Sequence, residues 1–141
     1  MEKRGAGMIV ADANLIGNLF MQSSDSSIAI QVFEKDPDWY APFLWQSEVR
    51  SIVTSYFRHK MITIDKALQV MDEAHELMIN HERFVASNLV LELVGSSKCT
   101  AYDCEYVALA KEMSLTLITF DKQVVGAFPR IAMFPRDFVN L

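Results

Sequence analysis

The sequence predicts a three-layer α/β/α domain with a short, mainly parallel central sheet. Three observations carry that expectation. Segments with apolar residues at helical spacing alternate with short apolar runs from Met8 onwards. The runs at 8–11 and 115–120 contain no charged residue, as strands covered on both faces do. Finally, 141 residues that are 51% hydrophobic and 22% charged suffice for one domain with a sizeable core, and leave no room for a second. Residues 1–7 read as a flexible leader and 8–141 as a single domain.

Taken in order, the strand at 8–11 ends at Asp12-Ala-Asn14, and the apolar stretch 15–21 begins a helix. A Ser-rich linker at 22–27 precedes a helix over 28–35, with Ile28, Val32 and Phe33 buried; Asp36-Pro37-Asp38 breaks it. Residues 39–41 form a second strand, ended by Pro42. From 43 to about 59, Leu44, Trp45, Val49, Ile52, Val53, Tyr56 and Phe57 share one broad arc of a helix. Ile64, Ala67, Leu68, Met71, Ala74 and Met78 make the buried stripe of an amphipathic cover helix. An extended piece at 83–86 leads to a helix that starts at Ser87 and stops near Gly95. Thr100, followed three residues later by Asp103, opens a largely apolar helix, on which only Glu105, Lys111 and Glu112 face solvent. A turn at Ser114 returns the chain as an inner strand over 115–120. Short helices at 124–128 and from Pro135, with an edge strand at 131–133, complete the chain.

Four carboxylates stand where this architecture places ligands. Asp12 and Asp121 leave the carboxyl ends of strands, which is where parallel α/β sheets bind them. Asp103 opens a helix. Glu48 lies on the wrong side of its helix, about 40° from both Leu44 and Ile52, where a charge is costly unless paired, hydrogen-bonded or bound to metal. Each position also has a purely structural role open to it: helix caps for Asp12, Asp103 and Asp121, with Asn14 sharing the first, and an ion pair with an arginine for Glu48. Glu105 lies about 200° round the helix from Asp103 and should face away.

Carboxylates gathered on one crevice raise one another's pKa, and such a cluster persists when cations occupy it. An all-oxygen donor set selects Mg²⁺ or Mn²⁺, which bind phosphates and activate water for hydrolysis of a nucleic-acid backbone. The net charge of −5 opposes a simple nucleic-acid binder but not an enzyme whose dication inverts the local charge. Cys99 and Cys104 fit no zinc or redox spacing and read as reduced packing residues; His59, His75 and His81 stand at no ligand spacing. No apolar run approaches the length of a membrane span and the first residues lack the hydrophobic segment of a secretion signal, so the expected location is the cytoplasm.

Met-Ile-Val-Ala-Asp-Ala-Asn at 8–14, Glu48 within Ser-Glu-Val-Arg, Thr-Ala-Tyr-Asp-Cys-Glu-Tyr-Val-Ala-Leu-Ala from Thr100 and Leu-Ile-Thr-Phe-Asp-Lys from Leu117 together resemble the PIN-domain ribonucleases, particularly VapC-like toxins of toxin-antitoxin pairs. The resemblance runs over nearly the whole chain from Met8 and is most specific from Thr100 to Asp121. It implies a metal-dependent endoribonuclease, usually a homodimer, inhibited by a small antitoxin whose tail occupies the active-site groove. Carried over by position, Asp12, Glu48, Asp103 and Asp121 match the metal-binding acids, and Asn14 and Thr119 match flanking polar positions. Some members carry a further acid just past the last aspartate; Lys122 and Gln123 stand there instead, so the resemblance does not extend to a full second metal site. Candidate phosphate contacts are Arg50, Lys98, Lys122 and Arg130. The alternatives are a non-catalytic binding module on the same fold and a housekeeping RNA-processing nuclease. A phosphoryl-accepting receiver domain lacks support, because no strand-ending Asp occurs in the middle of the chain.

Overall fold

A computed structural model describes residues 7–141. Most of the expected leader lies outside them; of it only Gly7 is described, and its carbonyl accepts the Asp38 N–H at 3.1 Å. The described chain runs β1 (Met8–Ala11), α1 (Ala13–Phe20), α2 (Ser26–Lys35), β2 (Asp38–Pro42), α3 (Trp45–Arg58), α4 (Ile64–Met78), β3 (Glu82–Arg83), α5 (Ser87–Gly95), α6 (Ala101–Met113), β4 (Leu117–Ile118), α7 (Lys122–Ala127), β5 (Ala132–Met133) and α8 (Pro135–Val139). All five strands are parallel, in the order β3-β2-β1-β4-β5. The chain therefore steps outward from β1 in one direction, returns, and steps outward from β4 in the other. Between β1 and β4 lies the topological switch point, the place where open α/β sheets form a ligand crevice.

Burial explains why these segments hold. Ile9, Val10 and Ala11 in β1 and Leu117 and Ile118 in β4 have at most 1% exposure, which matches strands covered by helices on both faces. On one side lies α6, whose residues 106–110 are all buried. Its N-terminus is capped by Thr100, which accepts the Asp103 N–H at 3.0 Å. Its C-terminus closes with Ser114 at φ 56°, the Leu115 N–H reaching the Ala110 carbonyl at 2.9 Å, so the chain reverses directly into β4. Wholly buried Trp45 anchors the start of α3, its Nε1 donating to Glu82 Oε2 at 2.6 Å.

Several expectations need correction, most of them on the faces of helices. Ala29 and Val32 are the buried residues of α2, while Ile28 and Phe33 are only half-buried. Phe57 in the last turn of α3 is 42% exposed, and Ile64 and Leu68 on α4 are 52% and 57% exposed, with Val70 taking the core position instead. At that end α3 and α4 share a small separate core of Met21, Val53, Ala67 and Val70, which leaves these periodic residues outside it. On α6, Tyr102 is exposed and Glu105 half-buried, the reverse of what their polarity suggests. Strand pairing in β4 covers two residues rather than six, although Leu115 and Thr119 on either side are also buried.

Candidate metal centre and comparison with known proteins

The carboxyl ends of β1 and β4 open onto a small cavity of about 80 Å³ lined by Asp12, Asn14, Glu48, Asp103, Tyr106, Thr119 and Asp121, among others. All four acids singled out in the sequence are there, together with both flanking polar residues. Each carboxylate arrives on a different element: Asp12 after β1, Glu48 in the first turn of α3, Asp103 in the first turn of α6, and Asp121 between β4 and α7. Among the described residues, no lysine or arginine lines the cavity.

Asp12 is the most constrained. Its Oδ1 accepts the Leu15 N–H at 2.7 Å, so it does cap α1; its Oδ2 accepts the Thr119 hydroxyl at 2.6 Å and the Phe120 N–H at 3.1 Å. Thr119 Oγ1 in turn accepts the Asp121 N–H at 3.1 Å, so one buried hydroxyl ties the two strand-end acids together. Asp121 Oδ1 caps α7 through the Gln123 and Val124 N–H groups, at 2.8 and 3.1 Å. Capping and site geometry are thus two uses of the same carboxylates, the second oxygen of Asp121 remaining available.

Among the described residues, Glu48 has no arginine partner. Its Oε1 accepts the Tyr106 hydroxyl at 2.6 Å. Asp103 does not complete a capping box: among the described residues its carboxylate accepts no hydrogen bond, and it faces the cavity. Tyr106 is the site residue the sequence reading missed. It lies one turn after Asp103 on the same helical face, a spacing that would have flagged it, but a tyrosine in an apolar helix reads as core.

Burial dominates the electrostatics. Desolvation pushes the Asp12 carboxyl up to about 6 against the lowering effect of its three hydrogen bonds, with Asp121's charge adding to the rise. Burial likewise raises Glu48, opposed by the Tyr106 hydroxyl and reinforced by the charges of Asp103, Asp12 and Glu105. Glu105 does not line the cavity, as expected, yet its charge is felt there. Buried Tyr106 is held well above its ordinary value by desolvation and by Glu48.

An oxygen-only donor set that, among the described residues, has no cationic side chain in it suits a hard dication. The acids surround the cavity without closing on one point: among the described residues, no three His, Cys, Asp or Glu side chains already stand in ligating geometry. Mutual repulsion opposes their closer approach. Of the candidate phosphate contacts, Arg50, Lys98, Lys122 and Arg130 are all exposed and none lines the cavity; Arg50 donates to Gln46 Oε1 on its own helix at 3.2 Å. Cys99 and Cys104 are free and buried.

Comparison with known proteins places these features. Ribonuclease VapC3 of Pyrobaculum aerophilum is 25% identical over 126 residues, which cover 87% of this chain and 96% of that protein. The crystal structure of PAE2754 from the same organism superposes with a TM-score of 0.74, covering 97% of this chain and 91% of that one at 14% identity, and shows the same fold. The PIN domain family matches residues 9–132, which reach into all five strands and include all four acids, and this chain belongs to that family.

Proposed function

We propose that this chain is a metal-dependent endoribonuclease that hydrolyses RNA phosphodiester bonds and acts as the toxin of a toxin-antitoxin pair. One observation carries the reading: Asp12, Glu48, Asp103 and Asp121 come from four separate elements to one cavity at the switch point, which among the described residues holds no basic side chain. Membership of the PIN domain family and the likeness to a protein named Ribonuclease VapC3 support it. The four acids are the residues that would hold Mg²⁺ or Mn²⁺. When bound, such an ion supplies charge stabilisation at a phosphodiester and lowers the pKa of water for attack.

The chain's own residues set the geometry. Three hydrogen bonds fix Asp12, and Thr119 fixes its spacing from Asp121. Tyr106 pins one oxygen of Glu48, and among the described residues the other accepts no hydrogen bond. Asp103, the unrestrained acid, can follow the substrate as the phosphorus changes geometry. Water attacks the phosphodiester in line, one P–O ester bond breaks, and no covalent enzyme intermediate forms.

The partners follow from the same reading: an RNA substrate, a cognate antitoxin and a second copy of the chain in a homodimer. Exposed Phe43, Phe84 and Leu91 line a contiguous apolar groove of about 470 Å³, the kind of patch that supports protein association. Among the described residues no helix is long and apolar enough to cross a membrane, and the cytoplasm is the proposed location. Incubation of purified protein with RNA and Mg²⁺ or Mn²⁺ tests the proposal. Cleavage that stops in chelator and falls about a hundredfold or more on Asp103→Asn is expected; equal cleavage by Asp103→Asn contradicts it.

A further inference from the structure

A second, larger groove of about 500 Å³ lies directly beside the acid cavity, and the same chain segment divides the two. The turn from β4 into α7 separates the two: Thr119 and Asp121 line the cavity, whereas Phe120 and Lys122, the first residue of α7, line the groove. From α8 and its lead-in come Phe134, Arg136 and Asp137, and Asp25 closes the opposite wall at the start of α2. Phe120 and Phe134 are half-buried and line the groove together with its charged and polar residues. Among the described residues neither Lys122 nor Arg136 makes an ion pair with Asp25 or Asp137, or a side-chain hydrogen bond.

We infer that this groove is a subsite for one nucleotide of single-stranded RNA flanking the scissile phosphate, its base against the Phe120 and Phe134 rings and its phosphate at Lys122 and Arg136. The inference rests on the nuclease reading above and adds residues to it. Single-stranded RNA exposes unstacked bases whose faces any aromatic ring accepts, and its backbone needs cations that the acid cavity does not offer. A volume of this size accommodates one nucleotide. The carboxylates of Asp25 and Asp137 discourage a second phosphate and offer acceptors to base amino groups, so they limit the groove to a single residue of the strand.

Fluorescence anisotropy of a fluorescein-labelled, mixed-sequence 12-nucleotide RNA, titrated with the full chain in Ca²⁺ buffer at several salt concentrations, tests this, with strand integrity checked on gels. Phe134→Ala should weaken binding about five- to a hundredfold with no change in salt slope, and Phe134→Tyr should restore it. Arg136→Ala should reduce the slope of log affinity against log salt by about 0.7, and Arg136→Lys should keep it, a signature that a merely structural role would not produce. Wild-type affinity and slope in both alanine variants overturn the subsite. If these variants behave as stated while wild-type protein fails to cut RNA with Mg²⁺ or Mn²⁺, the nuclease reading fails and the groove stands; cleavage with unaltered binding in the variants sinks the groove alone, and an absence of RNA binding by wild type sinks it as well.

Discussion

At the scale of single residues, the Tyr106–Glu48 contact shows how a carboxylate on α3 is kept in place by a hydroxyl from α6 at the edge of the acid cavity. Tyr106→Phe preserves the ring's packing and removes the 2.6 Å bond to Glu48 Oε1. Residues that orient metal ligands typically affect affinity about 10- to 100-fold, so calorimetric titration with Mn²⁺ should show a loss in that range while the melting temperature moves little. Asp12 makes a pH prediction. Its carboxyl is raised from 3.8 to about 6, so the folded state holds its proton more tightly than the unfolded chain. The resulting stability is full below the unfolded value and is lost as pH rises through about 6, and between pH 8 and pH 5 it amounts to about 1 kcal/mol. Thermal melts in chelator should therefore rise on acidification from pH 8 to pH 5, and Mn²⁺ should offset the deficit at pH 8; a melting temperature that climbs with pH in chelator contradicts the assignment. The four acids were legible because strand ends and helical phase locate them independently. Tyr106 was not, since its partner lies 58 positions earlier in the chain.

At the scale of elements, the two strand-end aspartates serve both the helix that follows and the cavity, and the two uses can be separated. Asn is as good an N-cap as Asp, whereas Ala is not. Asp121→Asn should keep the chelated melting temperature near wild type and lose RNA cleavage. Asp121→Ala should lose cleavage and also about 1 kcal/mol of stability, because the Gln123 and Val124 N–H groups then lack their acceptor. Equal stability of the two variants would show that the cap contributes nothing. The ends of α3 and α4 show where the sequence pattern misleads. Phe57, Ile64 and Leu68 have the spacing of core residues, but periodicity reports which residues share a face and not how far along the helix a neighbour extends. The opposite error arose on α6, where Glu105 is half-buried, since that helix is packed nearly all round.

For the whole molecule, strand order is what brings distant acids together. Parallel strands and alternating helices were readable from the apolar runs, but the order β3-β2-β1-β4-β5 was not, because nothing local to 8–11 or 115–118 encodes their adjacency. That adjacency is set by α6 filling the space beneath β1, β2 and β4. A chain of net charge −5 with its acids clustered at the switch point should bind a dication in the folded state only. Mn²⁺ at about a hundred times its dissociation constant should then stabilise the fold by about 2.7 kcal/mol, read as an upward shift in the melting temperature that Glu48→Gln diminishes. The most direct test is anomalous diffraction from crystals soaked in Mn²⁺. A peak between the carboxylates of Asp12, Glu48, Asp103 and Asp121, within about 2.0–2.4 Å of at least three of them, is the predicted result. Its absence from that cavity in crystals that bind Mn²⁺ elsewhere would contradict the account.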